Sequence, residues 1–276
     1  SQGGGSTGGG NAGGAGGGVV GDCGTTDNVG NDFATASPGP FYVTQGPGAT
    51  VTQGGGELVF TLPALTASWS GYSSYYGYDL RAHALTMEVA EVANPSTTAE
   101  SFVVLAADGG NYLALSSRAG ELIASRALGG SWSQRASAPF AAVQHRVWRV
   151  REASGTVFWE SSPDGMSWST LASVPLSSLF SVETLFVEFG GRTEGSEPNP
   201  GQVRFSSLNG GNPAGVTWCP MSELSDDFDD GELADQWAAT YQQAGCTVSE
   251  VGGGIVMDFD GASATDCVLI PARPYD

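Results

Sequence analysis

Two acidic pairs in strand-like sequence are the residues best placed to do acid–base chemistry: Glu88 with Glu91, and Glu183 with Glu188. Retaining glycoside hydrolysis needs two carboxyls about 5–5.5 Å apart. Residues an even number apart share one face of a strand. Glu88 and Glu91 are three apart and Glu183 and Glu188 five apart, so a regular strand turns each pair to opposite faces. The spacing predicts solvent-facing carboxylates on a polar face and no catalytic pair. A nucleophilic triad fares no better: there is no G-x-S-x-G, and the only histidines, His83 and His145, sit in strand-like surroundings.

Three other constellations remain. The acidic run Asp226, Asp227, Asp229, Asp230 invites Ca2+, but an EF-hand loop needs an oxygen ligand at its third position, and Phe228 stands there. The run is therefore read as water-facing acids with Phe228, Leu233 and Trp237 packing inward; a Ca2+ site of another geometry is the alternative, and no other cofactor is expected. Trp69, Tyr72, Tyr75, Tyr76 and Tyr78 lie within ten residues, separated by Ser and Gly. Aromatic faces stack on the C–H faces of sugars, so Trp69, Tyr72, Tyr75 and Tyr76 are candidate glycan-binding residues on a loop. The competing reading is that these rings cover an open end of the fold. Arg149 and Arg151 share one strand face; they are candidates for an acidic glycan, against a cross-strand ion pair with Glu160.

The balance of charge narrows the partners. There are 29 acidic residues against 10 basic ones, a net charge of −19, and every basic residue is Arg. A phosphate backbone needs a basic face, so nucleic acid and anionic membrane surfaces are excluded as partners. No apolar run approaches the roughly 18 residues of a membrane span. Four cysteines without a CxxC pairing argue against a zinc ribbon and allow three disulfide pairings. Cys246 and Cys267 flank two predicted strands and are expected to bridge them. Cys23 and Cys219 bracket the larger unit, though Cys219 could have a partner further along the natural chain. Either pairing suits an extracytoplasmic compartment.

The elements that must position these residues are strands. Residues 1–21 contain twelve Gly and read as a disordered tether, either of the sort that follows the lipid-bearing Cys of a bacterial lipoprotein or an interdomain linker of a longer chain. From 22 to 220, about a dozen short runs alternate with turn signals such as Asp108-Gly109, Ala119-Gly120 and Ser154-Gly155, as in an all-β sandwich. Leu185, Val187 and Phe189 share one face and alternate with Phe186 and Glu188. The chain then begins again. Asn31-Asp32-Phe33 recurs as Asp226-Asp227-Phe228, Val51–Val59 as Val248–Val256, Tyr78-Asp79 as Tyr275-Asp276, and Cys23 as Cys219. A period this long marks tandem domains. Residues 221–276 are thus expected to be the opening of a second, similar sandwich, too short to bury a core of its own, in a longer natural chain.

Two segments carry a family resemblance: Asp226-Asp227-Phe228-Asp229-Asp230-Gly231-Glu232-Leu233 with Trp237, and His145–Arg151 followed by Gly155–Trp168. Together they resemble the concanavalin A-like, laminin-G-like jelly-roll modules of secreted bacterial proteins. The resemblance implies a two-sheet antiparallel jelly roll, located outside the cell or on its surface. It also implies a non-catalytic carbohydrate-binding or adhesion module, monomeric within a longer chain, whose partner is a polysaccharide or cell-surface glycan. The alternatives are a structural spacer and an unusual glycoside hydrolase of the jelly-roll type.

Overall fold

The computed structural model describes residues 23–211, 219, 224, 226–231, 233, 236–242, 246–261 and 267–275; the Gly-rich segment 1–21 lies outside them. Fourteen strands build a two-sheet antiparallel jelly-roll sandwich. They are β1 (Phe41–Gln45), β2 (Thr50–Gly54), β3 (Glu57–Thr61), β4 (Ala67–Tyr78), β5 (Ala84–Glu91), β6 (Glu100–Asp108), β7 (Asn111–Arg118), β8 (Glu121–Leu128), β9 (Ser131–Pro139), β10 (Val147–Ala153), β11 (Thr156–Ser162), β12 (Ser169–Pro175), β13 (Leu185–Glu194) and β14 (Gln202–Leu208). One sheet has the order β1-β4-β13-β6-β7-β8-β9 and the other β12-β11-β10-β5-β14-β3-β2.

The turns explain the hairpins. Ala119 and Gly120 join β7 to β8, and Ser154 and Gly155 join β10 to β11; all four have positive φ, from 51° to 77°. That is the backbone of the type I′ turn, whose twist matches that of the strands it joins. Between the sheets, alternate residues interdigitate. Phe33, Phe41, Phe60, Tyr72, Phe189 and Phe205 make one aromatic cluster with ring centroids 5.2–6.2 Å apart. Trp148 and Trp159 are fully buried in the same core.

Residues 69–78 form part of a 12-residue strand, β4, and not the loop expected from their Ser/Gly spacing. Along β4 the odd-numbered side chains face outward and the even-numbered ones inward, so the aromatic set is divided between two environments. The physical reason lies in the strand's neighbours: β1 and β13 pair with it on either side and satisfy its backbone groups.

After the sandwich, β15 (Trp237–Gln242) pairs with β18 (Cys267–Pro271), and β16 (Cys246–Glu250) pairs with β17 (Ile255–Phe259). This segment packs back on the sandwich. The Gly77 N–H donates to the Ala272 carbonyl at 3.0 Å, and Arg273 reaches Asp79 at 3.9 Å. The Cys23–Cys219 disulfide ties the two ends of the larger unit across a sequence separation of 196. In the chain-entropy account, closing so long a loop stabilises the fold by about 4–5 kcal/mol. Cys246 is also disulfide-bonded; the Cys267 side chain lies outside the described residues. Among the described residues, no helix is long and apolar enough to cross a membrane.

Candidate active site

The outer face of the β1–β9 sheet holds a groove of about 1050 Å3. It runs across the strands. Tyr42 of β1 and Tyr75 of β4 form one wall, their rings 5.4 Å apart and both about half exposed. Trp132 of β9, 57% exposed, stands at the opposite edge. The floor is built by alternation: Trp69 and Ser73 from β4, Phe186, Glu188 and Arg192 from β13, Glu100, Phe102 and Val104 from β6, and Tyr112 and Ala114 from β7. Across the strands, Glu188 lies opposite Ser73 and Val104, Gly190 opposite Gly71 and Phe102, and Arg192 opposite Trp69 and Glu100.

Two carboxyls face this groove from adjacent strands, and their environments differ. Glu188 is half-buried, and among the described residues nothing donates to it or pairs with it; burial pushes its carboxyl above the usual range. Glu100, 8% exposed, accepts from Arg192 at 2.6 Å, with Arg118 at 3.9 Å. Register places the two four positions apart along the strand direction, roughly 13 Å at Cα. Between them, Gly190 and Gly71 contribute no side chains, and the Trp69 ring lies over Gly71 and stacks on Phe102 at 5.7 Å with an interplanar angle of 17°.

The structure separates the aromatic candidates. Trp69 and Tyr75 line the groove. Tyr72, 3% exposed, packs inward on Phe41, Phe60 and Phe189, and burial pushes its hydroxyl up; it cannot reach a ligand. Tyr76 is half-buried against the same core. The sequence spacing treated the four as one platform because strand alternation was not applied to them. Arg149 and Arg151 are not at the groove. They lie on β10 of the other sheet and converge on Glu160 at 2.7 and 2.8 Å, Arg149 against Trp168 and Arg151 against Phe158. That is the cross-strand ion pair, not a free cationic site. Glu183 also leaves the groove, pairing with Arg81 at 2.6 Å. Glu88 and Glu91, on β5 of the second sheet, pair with Arg146 and Arg204. Among the acids near residue 226, Asp227, Asp229 and Asp230 are exposed and Asp226 half-buried. No group of three or more His, Cys, Asp or Glu side chains is gathered for a metal among the described residues.

Sequence reasoning missed that Glu188 and Glu100 face one groove. It sought two carboxyls on one strand, whereas these two share a face across β13 and β6. The signal available was the outward parity of Glu188 together with Phe186.

No protein-family model matches the chain, and no curated protein sequence matches it. Among solved structures it is similar to a β-glucanase of Bacillus licheniformis, with 9% identity over 65% of this chain and 95% of the other and a TM-score of 0.48. It is similar to a β-1,3-glucanase of Mycobacterium marinum, with 11% identity over 65% and 96% and a TM-score of 0.47. It is also similar to a glycosyl hydrolase family 16 protein of Mycobacterium smegmatis, with 13% identity over 65% and 97% and a TM-score of 0.46. The likeness is one of fold. The expectation of a non-catalytic binding or adhesion module, and with it of no enzyme activity, is corrected here. The three structures just described are named as glucanases or as a glycosyl hydrolase. The groove, moreover, holds a desolvated carboxyl, Glu188, which the sequence had placed on a solvent-facing polar surface.

Proposed function

We propose that the protein is a glycoside hydrolase that lays a neutral polysaccharide across the grooved sheet and uses Glu188 as its proton donor. The observation that carries this reading is Glu188 itself: an unpaired carboxyl, raised by burial, on the floor of an aromatic groove. Cleaving a glycosidic bond needs a proton on the leaving oxygen. A carboxyl can hold that proton near neutral pH only when its environment disfavours the charge. Aromatic walls at both ends suit sugar rings, whose C–H faces pack on π-faces. Glu100, paired with Arg192, is the second carboxyl. Its separation from Glu188 is too long for the retaining arrangement. With Glu100 held by Arg192 and the Trp69–Phe102 stack lying between, it also exceeds the about 6.5–9.5 Å between carboxyls of the inverting arrangement, so Glu188 is assigned as proton donor and Glu100 takes no part as base.

The compartment is read as extracytoplasmic, supported by the Cys23–Cys219 disulfide, and segment 1–21 as a tether to the cell surface. The test is release of reducing ends from β-1,3-, mixed-linkage and β-1,4-glucans, xylan and mannan, by the whole chain and by Glu188→Gln. The expected result is turnover on one of these polymers that falls by about 10²–10⁴-fold in the variant. Binding without turnover, unchanged by the substitution, would overturn the reading.

A further inference from the structure

The β16–β17 hairpin contains a carboxylate with nowhere to put its charge. Glu250 is 7% exposed, and both of its carboxylate oxygens are buried without a hydrogen-bond partner. Burial first, and then its neighbours Asp226, Asp230 and Asp227, push its carboxyl up. The Asp230 carboxyl lies within hydrogen-bonding reach of it, a contact that two ionised carboxylates cannot make. Among the described residues no Arg pairs with Glu250. The one Arg after residue 220, Arg273, turns to Asp79.

The same local structure occurs earlier in the chain with different chemistry. Phe33 and Phe228 have φ of 53° and 54°. Each follows a turn in which its N–H donates to the side chain two residues back, to Asn31 at 2.8 Å and to Asp226 at 3.1 Å. Gln53 pairs with Leu58, and Glu250 with Ile255, each just before a glycine-rich hairpin turn. Gln53 fastens its hairpin to the chain after the Phe33 turn: its Nε2 donates to the carbonyl oxygens of Thr35 at 2.7 Å and Ser37 at 2.5 Å. Glu250 stands where Gln53 stands, but a carboxylate cannot donate. The position keeps its geometry and exchanges an amide donor for an anion beside further anions.

We propose that a divalent cation of the Ca2+ class binds between the β16–β17 hairpin and the turn around Phe228, held by Glu250 and Asp230. The ion takes the place of the Gln53 amide protons and fastens hairpin to turn. Hard oxygen donors of this type suit Ca2+ and not softer metals. The acids are not gathered into a three-ligand cluster beforehand. Binding therefore uses the adjacent Glu250 and Asp230 carboxylates and completes the shell with main-chain carbonyls of the turn and water, as Ca2+ sites commonly do.

The experiment uses the whole chain, stripped with chelator and titrated with CaCl2, with melting temperature as one readout. Tb3+ luminescence excited through Trp237, whose ring lies 6.2 Å from that of Phe228, is the other. Saturation at about 0.1–1 mM Ca2+, the range of extracellular modules, is expected. Glu250→Gln should weaken binding at least tenfold and raise the melting temperature of the Ca2+-free protein, because the amide restores the donor that Gln53 provides. Asp230→Asn should weaken binding without that gain. A wild-type chain indifferent to Ca2+, or a Glu250→Gln chain that still binds as wild type, would overturn the proposal. So would a stabilising Glu250→Gln in a protein that never bound Ca2+, which would mean that a proton serves the site.

Discussion

Trp69 on β4 reaches across β13 to stack on Phe102 of β6, with ring centroids 5.7 Å apart. Two strands that are not neighbours are thus joined on the groove floor, and the contact is possible because the intervening position, Gly190, has no side chain. A methyl at Gly190 would run into the Ser70 carbonyl and the Gly71 Cα, both main-chain atoms of β4 that cannot rotate away. Gly190→Ala should therefore push β4 from β13 and lift Trp69 off its partner. Overpacking of this kind costs about 1–3 kcal/mol, which in a domain of this size lowers the melting temperature by roughly 2–12 °C. Gly109→Ala is the control, since a methyl there meets nothing within 4 Å. Equal melting temperatures for the two variants would show that the floor yields.

The parts of the fold that were legible are those with local causes. Ser154-Gly155 read as a tight turn because only positive φ closes such a hairpin, and both residues adopt it. Leu185, Val187 and Phe189 read as one inward face because apolar residues alternate there. The β4 strand was not legible for the converse reason. Its outward face carries Trp69, Gly71, Ser73 and Tyr75 and its inward face Ser70, Tyr72 and Ser74, so hydropathy shows no period of two along it. The candidate site was hidden by distance along the chain. Glu100 and Arg192 meet because β6 pairs with β13, and nothing within either segment sets that register.

Glu188 also makes a prediction about stability. Burial raises its carboxyl in the folded protein relative to the unfolded chain. A group raised in this way contributes stability that is complete below the ordinary Glu range, where both states are protonated. That contribution is lost as pH rises through the folded value. Glu188→Gln has no proton to lose. Its melting temperature should match wild type near pH 4 and exceed it increasingly toward pH 7. Melting curves of both proteins at intervals across that range decide the matter; a difference that stays constant with pH would show that Glu188 is not desolvated in solution.

The second buried carboxylate has the opposite sign. Glu160, 2% exposed, feels burial pushing its carboxyl up, but the hydrogen bonds and charges of Arg151 and Arg149 overcome this and hold it below the usual range. Its contribution to stability is therefore present above the ordinary Glu range and lost as pH falls. Removing one partner from a buried ion pair costs about 3–5 kcal/mol when nothing replaces it. Here either Arg remains when the other is removed, so Arg149→Ala and Arg151→Ala should each cost less than that, and the double variant more than their sum. With both gone, only the long hydrogen bond from the Thr170 hydroxyl at 3.4 Å opposes burial at Glu160, and stability should fall as pH rises instead of as it drops. In a Glu160→Gln background the two substitutions should become nearly additive, since the shared anion is absent. Denaturant unfolding of the full cycle at pH 4 and pH 7 measures each of these quantities. Turnover at the groove on the opposite sheet should stay at the wild-type level wherever the variants remain folded.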